Sequence, residues 1–123
     1  MWMDENPNPL RKDVGDCAVR AISLATDRPW EDIYIALCVQ GAMQGDMPNS
    51  NSVWGSYLTH HGWSYHPLEH TFDASVDNFC KEHPQGVFIV GTGDHAVCVK
   101  NGIIYDTWNS GNKVPIYYFI KDE

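Results

Sequence analysis

The distribution of hydrophobic and polar positions changes character near Gly86. Before this point, apolar residues recur every three or four positions in segments separated by turn residues, which is typical of amphipathic helices. After it, short runs of β-branched and aromatic residues are broken by turn residues, which is typical of strands. Since no helical pattern separates these strands, we predict an α+β domain with N-terminal helices packed on a C-terminal antiparallel β-sheet.

Four helices are predicted in the first part of the chain. Asp16 and Ser75 precede two of them as capping residues, because a short polar side chain can accept from the free N–H groups of a first turn. Pro29 suits the first position of another helix, and Gly41 and Gly62 suit helix ends. The predicted helices cover residues 17–25, 29–41, 52–62 and 76–83, after an extended lead-in over residues 1–13.

Asn101 and Gly102 stand between two predicted strands and predict a β-hairpin, because both residues tolerate the positive φ of a type I′ turn. A two-residue loop fixes the register, so that His95 lies opposite Trp108 and Asp106 is a diagonal neighbour of His95. A carboxylate there fixes the imidazole tautomer and stabilises the protonated ring. The alternative is a hydrogen-bonded core histidine with an aspartate at the sheet edge.

Cys17 lies at the predicted start of the first helix. The free N–H groups and partial positive charge of a helix N-terminus favour a thiolate. If His95 lies within hydrogen-bond reach, then Cys17, His95 and Asp106 form a triad suited to nucleophilic catalysis. The alternative is that Cys17 is a small hydrophobic residue at a helix start.

The composition narrows the class of protein. A chain of 123 residues is predicted to form one domain, residues 1–123. Its net charge of -8 has the wrong sign for a phosphate backbone, so nucleic acid is not expected as a partner.

No apolar run approaches a membrane span and the N-terminus lacks the pattern of a signal peptide, so we expect a cytoplasmic protein without a membrane partner. The four cysteines include no CxxC pair and are expected to be reduced.

The remaining cysteines and histidines do not suggest a metal site or cofactor. Cys38 and Cys98 are predicted to be inert core thiols. Only Cys80 and His83 show a familiar ligand spacing, so loop histidines are favoured over zinc ligands. The residues considered for a metal site are His60, His61, His66, His70, Cys80 and His83.

Several polar residues beside the helices have both structural and functional interpretations. Residues 49–51 are predicted to cap the third helix rather than to line a cleft, and Trp54 is predicted to belong to the core rather than to cover that cleft. Arg20 lies one turn after Asp16, which predicts a surface ion pair rather than a substrate contact.

Three segments occur in the order found in papain-like cysteine peptidases: GDCAVRAI at 15–22, DHAV at 94–97 and DTWNSG at 106–111. The chain resembles the short members of this superfamily from bacteria and phages, and the first segment is also similar to the DGNC motif of OTU-type deubiquitinases. The resemblance implies a papain-like fold in which Cys17 is the nucleophile and His95 the general base and later acid. It further implies that Asp106 orients His95 and that Trp108 shields this pair from water.

At the positions that supply the oxyanion donor in these two families, this chain carries different residues. Papain-like enzymes place a glutamine about six residues before the cysteine, where this chain has Arg11, and OTU enzymes place an aspartate three residues before it, where this chain has Val14. The backbone N–H of Cys17 can supply one donor, with a second from the lead-in. The candidates for this role or for lining the site are Asn6, Asn8, Arg11, Asp16 and Trp108.

The resemblance predicts a cysteine hydrolase that cleaves a peptide, isopeptide or amide bond of a polypeptide or amide substrate through a thioester intermediate. Two alternatives remain open at this point. One is a non-catalytic papain-fold module that binds a peptide or partner protein. The other is an acyltransferase or transglutaminase-like enzyme that uses the same triad.

Overall fold

A computed structural model describes residues 1–69 and 74–122. Within these ranges the chain forms four helices and six strands in an α+β arrangement, as predicted. The helices are α1 (Cys17–Thr26), α2 (Trp30–Gln44), α3 (Asn51–His60) and α4 (Val76–Glu82). The strands are β1 (Trp2–Asp4), β2 (Trp63–Pro67), β3 (Val87–Gly91), β4 (Ala96–Lys100), β5 (Ile103–Asp106) and β6 (Tyr117–Lys121).

The six strands form one mixed sheet in the order β1-β5-β4-β3-β6-β2. The prediction of a purely antiparallel sheet is wrong at one edge, where β1 runs parallel to β5. The lead-in therefore begins with a strand, held by backbone bonds from Ile104 N–H to Met1 O and from Glu5 N–H to Asp106 O. Three exposed residues give no alternation to detect, so the sequence pattern does not reveal this strand.

The second edge of the sheet was also not predicted as a strand. β2 follows α3 after one turn at Gly62, whose φ of 84° is easily adopted only by glycine, and it pairs antiparallel with β6. Its residues become more exposed from Trp63 to Pro67 instead of alternating between buried and exposed. This explains why hydrophobic periodicity does not identify β2.

The predicted hairpin between β4 and β5 is confirmed. Asn101 and Gly102 have φ values of 50° and 75°, which are those of a type I′ turn. Lys100 pairs with Ile103, and the register continues along the two strands as the two-residue loop requires. The ends of β4 and β5 that lie away from the turn carry His95, directly before β4, and Asp106, the last residue of β5.

Hydrophobic residues cover both faces of the sheet. On one face, residues of α1, α2 and α3 pack against Ile89, Ala96 and Phe119. On the other, α4 packs against neighbours such as Val97 and Ile104, because successive side chains of a strand point to opposite faces. The sheet thus lies between two helical layers, with α1 packed against β4.

The second helix differs from its prediction at both ends. Pro29 is its N-cap rather than its first residue, and the helix continues past Gly41 to Gln44. Gly41 does not end the helix; a Cβ there would lie 2.6 Å from the backbone oxygen of Asp46, so this glycine allows a close approach of the following loop. The helix ends instead at Gly45, which has a φ of 69°. The predicted cap of α4 is confirmed, since Ser75 accepts a bond from the N–H of Asn78.

None of the helices in residues 1–69 and 74–122 has both the length and the apolar character of a transmembrane span.

Candidate active site

Cys17 is the first residue of α1 and is partly exposed. Small residues on the buried side of the helix, Ala18 and Ala21, let α1 pack closely against β4. The N–H groups of the first turn have no acceptor within the helix, so they present a partial positive charge beside the thiol. The fold therefore places this cysteine at the end of the sheet that carries His95.

His95 links Cys17 to Asp106. Its Nε2 lies 2.7 Å from Oδ2 of Asp106, which leaves Nδ1 as the ring nitrogen on the side of the thiol. Cys17 lies close enough to His95 and to the backbone of Ala96 for both groups to act on the pKa of the thiol. The structure thus brings together the three residues that the sequence predicts as a triad.

The electrostatics of this chain favour the charged forms of all three residues. Burial alone raises the pKa of Cys17, but the hydrogen bonds from His95 and Ala96 and the positive charges of His95 and Arg20 outweigh it, so the pKa is lowered. Burial alone lowers the pKa of His95, but the hydrogen bonds with Asp106 and Cys17 raise it to about 9. These directions describe a thiolate and imidazolium pair.

Asp106 is held as an ionised acceptor. Burial raises its pKa, but the His95 bond and charge, the Thr107 N–H and the Ser110 hydroxyl together lower it. The Thr107 N–H donates to Oδ1 at 2.7 Å, and the fully buried Ser110 hydroxyl donates to Oδ2 at 2.9 Å. Arg20 Nη2 lies 3.3 Å from Oδ1. These donors fix the carboxylate so that Oδ2 faces the imidazole.

The ion pair between Arg20 and Asp16 is present, but the prediction that it lies on the surface is wrong. Both residues are buried, and the guanidinium bridges Asp16 and Asp106. The predicted capping role of the Asp16 side chain is also wrong, since this carboxylate makes no bond to the first turn of α1. It accepts instead from Arg20 and from Trp30 Nε1, the latter at 2.9 Å. Arg20 therefore connects α1 to the end of β5.

Trp108 lies against the imidazole. Its ring centroid is 4.8 Å from that of His95, with the planes tilted by 41°. The indole is 40% exposed, so it covers the ring on one side while its own outer surface stays in contact with solvent. Lys113 Nζ lies 5.8 Å from the centre of the indole. Covering the ring in this way limits the access of water to the bond between His95 and Asp106.

Cys17 and His95 line a cavity of about 330 Å³, which we call the thiol cavity. Residues 93–96 form one side, and Asn49, Asn51 and Trp54 line another part. The Asn51 amide donates to Gly93 O at 3.3 Å and accepts from Trp54 Nε1 at 3.0 Å. Residues 49–51 are predicted to cap α3 rather than to line a cleft. Ser50 is the N-cap, but its side chain accepts no bond from the first turn, and Asn49 and Asn51 line the cavity. The run of polar residues before Trp54 was the signal for this site.

The oxyanion candidates of the lead-in are placed elsewhere. Asn8 is buried and accepts from the N–H of Leu10, and Asn6 accepts from the N–H of Asn8. Arg11 is exposed with a φ of 53°. Among the described residues, neither these three nor Asp16 lines the thiol cavity, but Asn8 and Asp16 line the cavity next to it. Residues 6–11 of the lead-in are joined to one another by short-range bonds, whereas Asn49 reaches the thiol cavity from the loop between α2 and α3.

The other cysteines have different surroundings from Cys17. All four are free thiols. Burial raises the pKa of Cys98 to about 12 and also raises that of Cys80. Cys38 is partly exposed on α2, so the prediction of a core position is only partly met. These three thiols lie outside the thiol cavity.

The histidines considered as zinc ligands pack mainly against aromatic rings. His61 stacks on Tyr57, His66 on Tyr118 and His83 on Phe79. In the part of the chain that the structure describes, no three His, Cys, Asp or Glu side chains cluster as a metal site would require. His70 lies outside the described residues.

Comparison with protein-family models, with curated proteins and with solved structures gave no match in any of the three cases.

Proposed function

We propose that this chain is a cysteine hydrolase of the papain-like type that cleaves an amide bond, with Cys17 as nucleophile, His95 as general acid and base, and Asp106 as the residue that orients His95. The observation that carries the proposal is that Cys17 and His95 line the same cavity while Nε2 of His95 lies 2.7 Å from a carboxylate oxygen of Asp106. A purely structural role for His95 would not require a neighbouring thiol that lines a cavity and has a lowered pKa.

The proposed reaction has two steps. The Cys17 thiolate attacks the carbonyl carbon, and the imidazolium of His95 donates its proton to the amine nitrogen as the C–N bond breaks. A thioester on Cys17 and a free amine result. His95, now neutral, takes a proton from a water molecule that attacks the thioester. The C–S bond breaks, an acid is released, and the thiolate and imidazolium are restored.

The oxyanion of each tetrahedral intermediate requires fixed donors. The N–H of Cys17 has no acceptor within α1 and supplies one of them. We assign the second to the side-chain amide of Asn49, because this residue lines the thiol cavity and is exposed on the loop before α3. This assignment replaces the candidates of the lead-in, none of which lines the thiol cavity.

The motif order supports membership of the papain-like superfamily. In this proposal the cysteine-bearing helix α1 lies across the end of β4 and β5, where the histidine and aspartate segments supply His95 and Asp106. The same arrangement could transfer the acyl group of the thioester to an amine instead of to water. An experiment must therefore identify the acyl acceptor.

The nucleophile is tested by alkylation with iodoacetamide between pH 4 and 10, with peptide mapping to assign each site. Cys17 is expected to react rapidly well below pH 8.5, the ordinary range of a thiol pKa, and His95→Ala is expected to move its profile towards that value. Cys38, partly exposed on α2 and outside the cavity, is the reference thiol in the same sample. A Cys17 profile that is ordinary and unaffected by His95→Ala would falsify the proposal.

The reaction is tested by searching for the acyl-enzyme. The protein is incubated with a mixture of N-acetylated peptide amides, quenched in acid and weighed intact. A hydroxylamine-sensitive acyl adduct on Cys17, absent in Cys17→Ala, is expected, with amine release slowed about 10²–10⁴-fold in His95→Ala. If a reactive Cys17 yields no adduct and no amine while peptides still bind, the chain is a binding module rather than a hydrolase.

A further inference from the structure

A second cavity lies beside the thiol cavity and is larger, at about 500 Å³. We call it the apolar cavity, because its walls carry Leu10, Val14, Trp30, Tyr34 and Met47. Four of these side chains are exposed by 47–74%: Leu10, Val14, Tyr34 and Met47. Large apolar side chains gathered around a concave surface and left in water are typical of a binding site.

One wall of the apolar cavity is fixed in place. Trp30 and Tyr34 stack on one another at successive turns of α2, with ring centroids 5.1 Å apart and planes inclined by 21°. The Trp30 indole also donates to the buried carboxylate of Asp16, one residue before Cys17. The aromatic wall is therefore anchored directly to the start of the helix that carries the nucleophile.

The two cavities adjoin. Gly15 and Asn49 line both of them, so these two residues mark the route by which a ligand group would extend from the thiol into the apolar cavity. His95 and its neighbours at 93–96 line only the thiol cavity among the residues given for the two. The apolar cavity is therefore approached past Gly15 and Asn49 and not past the residues around His95.

This placement decides which part of a substrate enters the apolar cavity. The leaving amine must receive its proton from His95, so it lies on the imidazole side of the reacting carbon. The acyl part must then extend the other way, past Gly15 and Asn49. On the basis of the proposed function, we infer that the substrate carries a large apolar side chain, such as that of Phe or Leu, on the acyl side of the cleaved amide.

The inference is tested with N-acetylated chloromethyl ketones of Phe, Leu, Ala, Lys and Glu. The thiolate displaces chloride and forms a C–S bond, so intact mass spectrometry gives the second-order rate constant for alkylation of Cys17. We expect the Phe and Leu reagents to react at least about tenfold faster than the Ala reagent, since each apolar contact in a pocket discriminates by about this factor or more. Equal rates for Phe and Ala would overturn the inference.

Two methionines provide a matched pair of variants. Met47 lines the apolar cavity and is 66% exposed, whereas Met43 is 71% exposed on α2 and outside the residues that line it. Met47→Lys is expected to reduce the preference for Phe over Ala about tenfold and to raise the rate with the Glu reagent, while Met43→Lys leaves both unchanged. Leu10→Asp, also at an exposed position, is expected to reduce the Phe preference similarly.

Iodoacetamide separates failure of this inference from failure of the proposed function. This reagent has no side chain for the apolar cavity, so its rate with Cys17 reports the thiolate alone, and the rates of each variant with the ketones are divided by its rate with iodoacetamide. Met43→Lys, outside the cavity, is expected to retain the iodoacetamide rate of the unmodified protein. A reactive Cys17 with the same preference in Met47→Lys as in Met43→Lys overturns the apolar subsite alone. A Cys17 with the reactivity of an ordinary thiol overturns the hydrolase, and the substrate assignment with it.

Discussion

Arg20 of α1 reaches Asp106 at the end of β5, with Nη2 at 3.3 Å from Oδ1, while the other oxygen of this carboxylate binds His95 at 2.7 Å. The guanidinium also pairs with Asp16, one residue before Cys17. One buried cation therefore connects the helix that carries the thiol with the strand that carries the orienting carboxylate. This relationship makes Arg20 a positioning residue for the proposed triad.

Replacement of Arg20 by Gln is expected to lower stability and to weaken the thiolate together. Two buried carboxylates lose their cation, which typically costs about 3–5 kcal/mol of unfolding free energy. The pKa of Cys17 rises because the Arg20 charge contributes to lowering it. Urea unfolding and the iodoacetamide pH profile measure the two effects, and Arg20→Lys restores part of the second.

Arg28→Gln is the control for the Arg20 variant. Arg28 is exposed and donates to the Tyr57 hydroxyl, with no contact to the site. It is expected to change stability by less than about 1 kcal/mol and to leave the alkylation profile unchanged. An Arg20→Gln protein with the same profile as Arg28→Gln would show that the guanidinium does not act on the thiol.

The pair between His95 and Asp106 predicts a definite pH dependence of stability. The pKa of His95 is raised from 6.5 to about 9, and its side chain is only 8% exposed. The stabilisation is therefore fully present below pH 6.5 and is lost as the pH rises through about 9, and it amounts to about 3 kcal/mol. The depressed pKa of Cys17 has the opposite sign, since its contribution is present above pH 9 and is lost as the pH falls through the lowered pKa.

Urea unfolding of the unmodified chain and of His95→Gln, each at pH 6 and pH 9.5, measures the histidine contribution by difference. The stability difference between the two proteins is expected to be larger at pH 6 than at pH 9.5, by up to about 3 kcal/mol, because His95→Gln also removes the group that lowers the pKa of Cys17, a contribution of the opposite sign. His60→Gln, at an exposed position at the end of α3 and outside the site, is the control for replacing an imidazole by an amide. A difference that does not depend on pH contradicts the raised pKa.

Asn49 and Asn8 are rival oxyanion donors, the first assigned from the cavity and the second from the sequence. Asn49→Ala is expected to slow amide hydrolysis about 10²–10³-fold with little change in stability, because its side chain is exposed. Asn8→Ala removes the acceptor of the Leu10 N–H and is expected to lower the unfolding free energy by about 1 kcal/mol, with a much smaller effect on the rate than Asn49→Ala when the rate is measured where the variant is fully folded. A large loss of rate in Asn8→Ala but not in Asn49→Ala would identify Asn8 of the lead-in as the donor.

Trp2 links the unpredicted strand β1 to the site. Its Nε1 donates to the backbone oxygen of Asp106 at 3.1 Å, and β1 adds backbone bonds along β5. Trp2→Phe keeps an aromatic side chain but removes the indole N–H donor, so the unfolding free energy is expected to fall by about 1 kcal/mol. Hydrogen exchange at Ile104, whose N–H bonds Met1 O, is expected to accelerate. Unchanged exchange at Ile104 would mean that the indole does not hold this edge.

The sequence by itself determined those features that depend on neighbouring residues. The Asn101-Gly102 turn and its register, the helix that starts at Cys17 and the Ser75 cap could all be predicted, because turn and cap chemistry acts over two to four residues. The combination of α+β layout and hairpin register was enough to nominate Cys17, His95 and Asp106.

Only the tertiary structure decided the surroundings of these residues. Arg20 and Asp106 are 86 positions apart, and Asn49 and Met47 reach the site from a loop that the pattern describes only as polar. The residues of β1 show no hydrophobic periodicity, and this strand forms because it can pair with the edge of β5. Such contacts follow from how α1 and the lead-in pack against the sheet, and the free energy of that packing depends on the whole core rather than on any local segment.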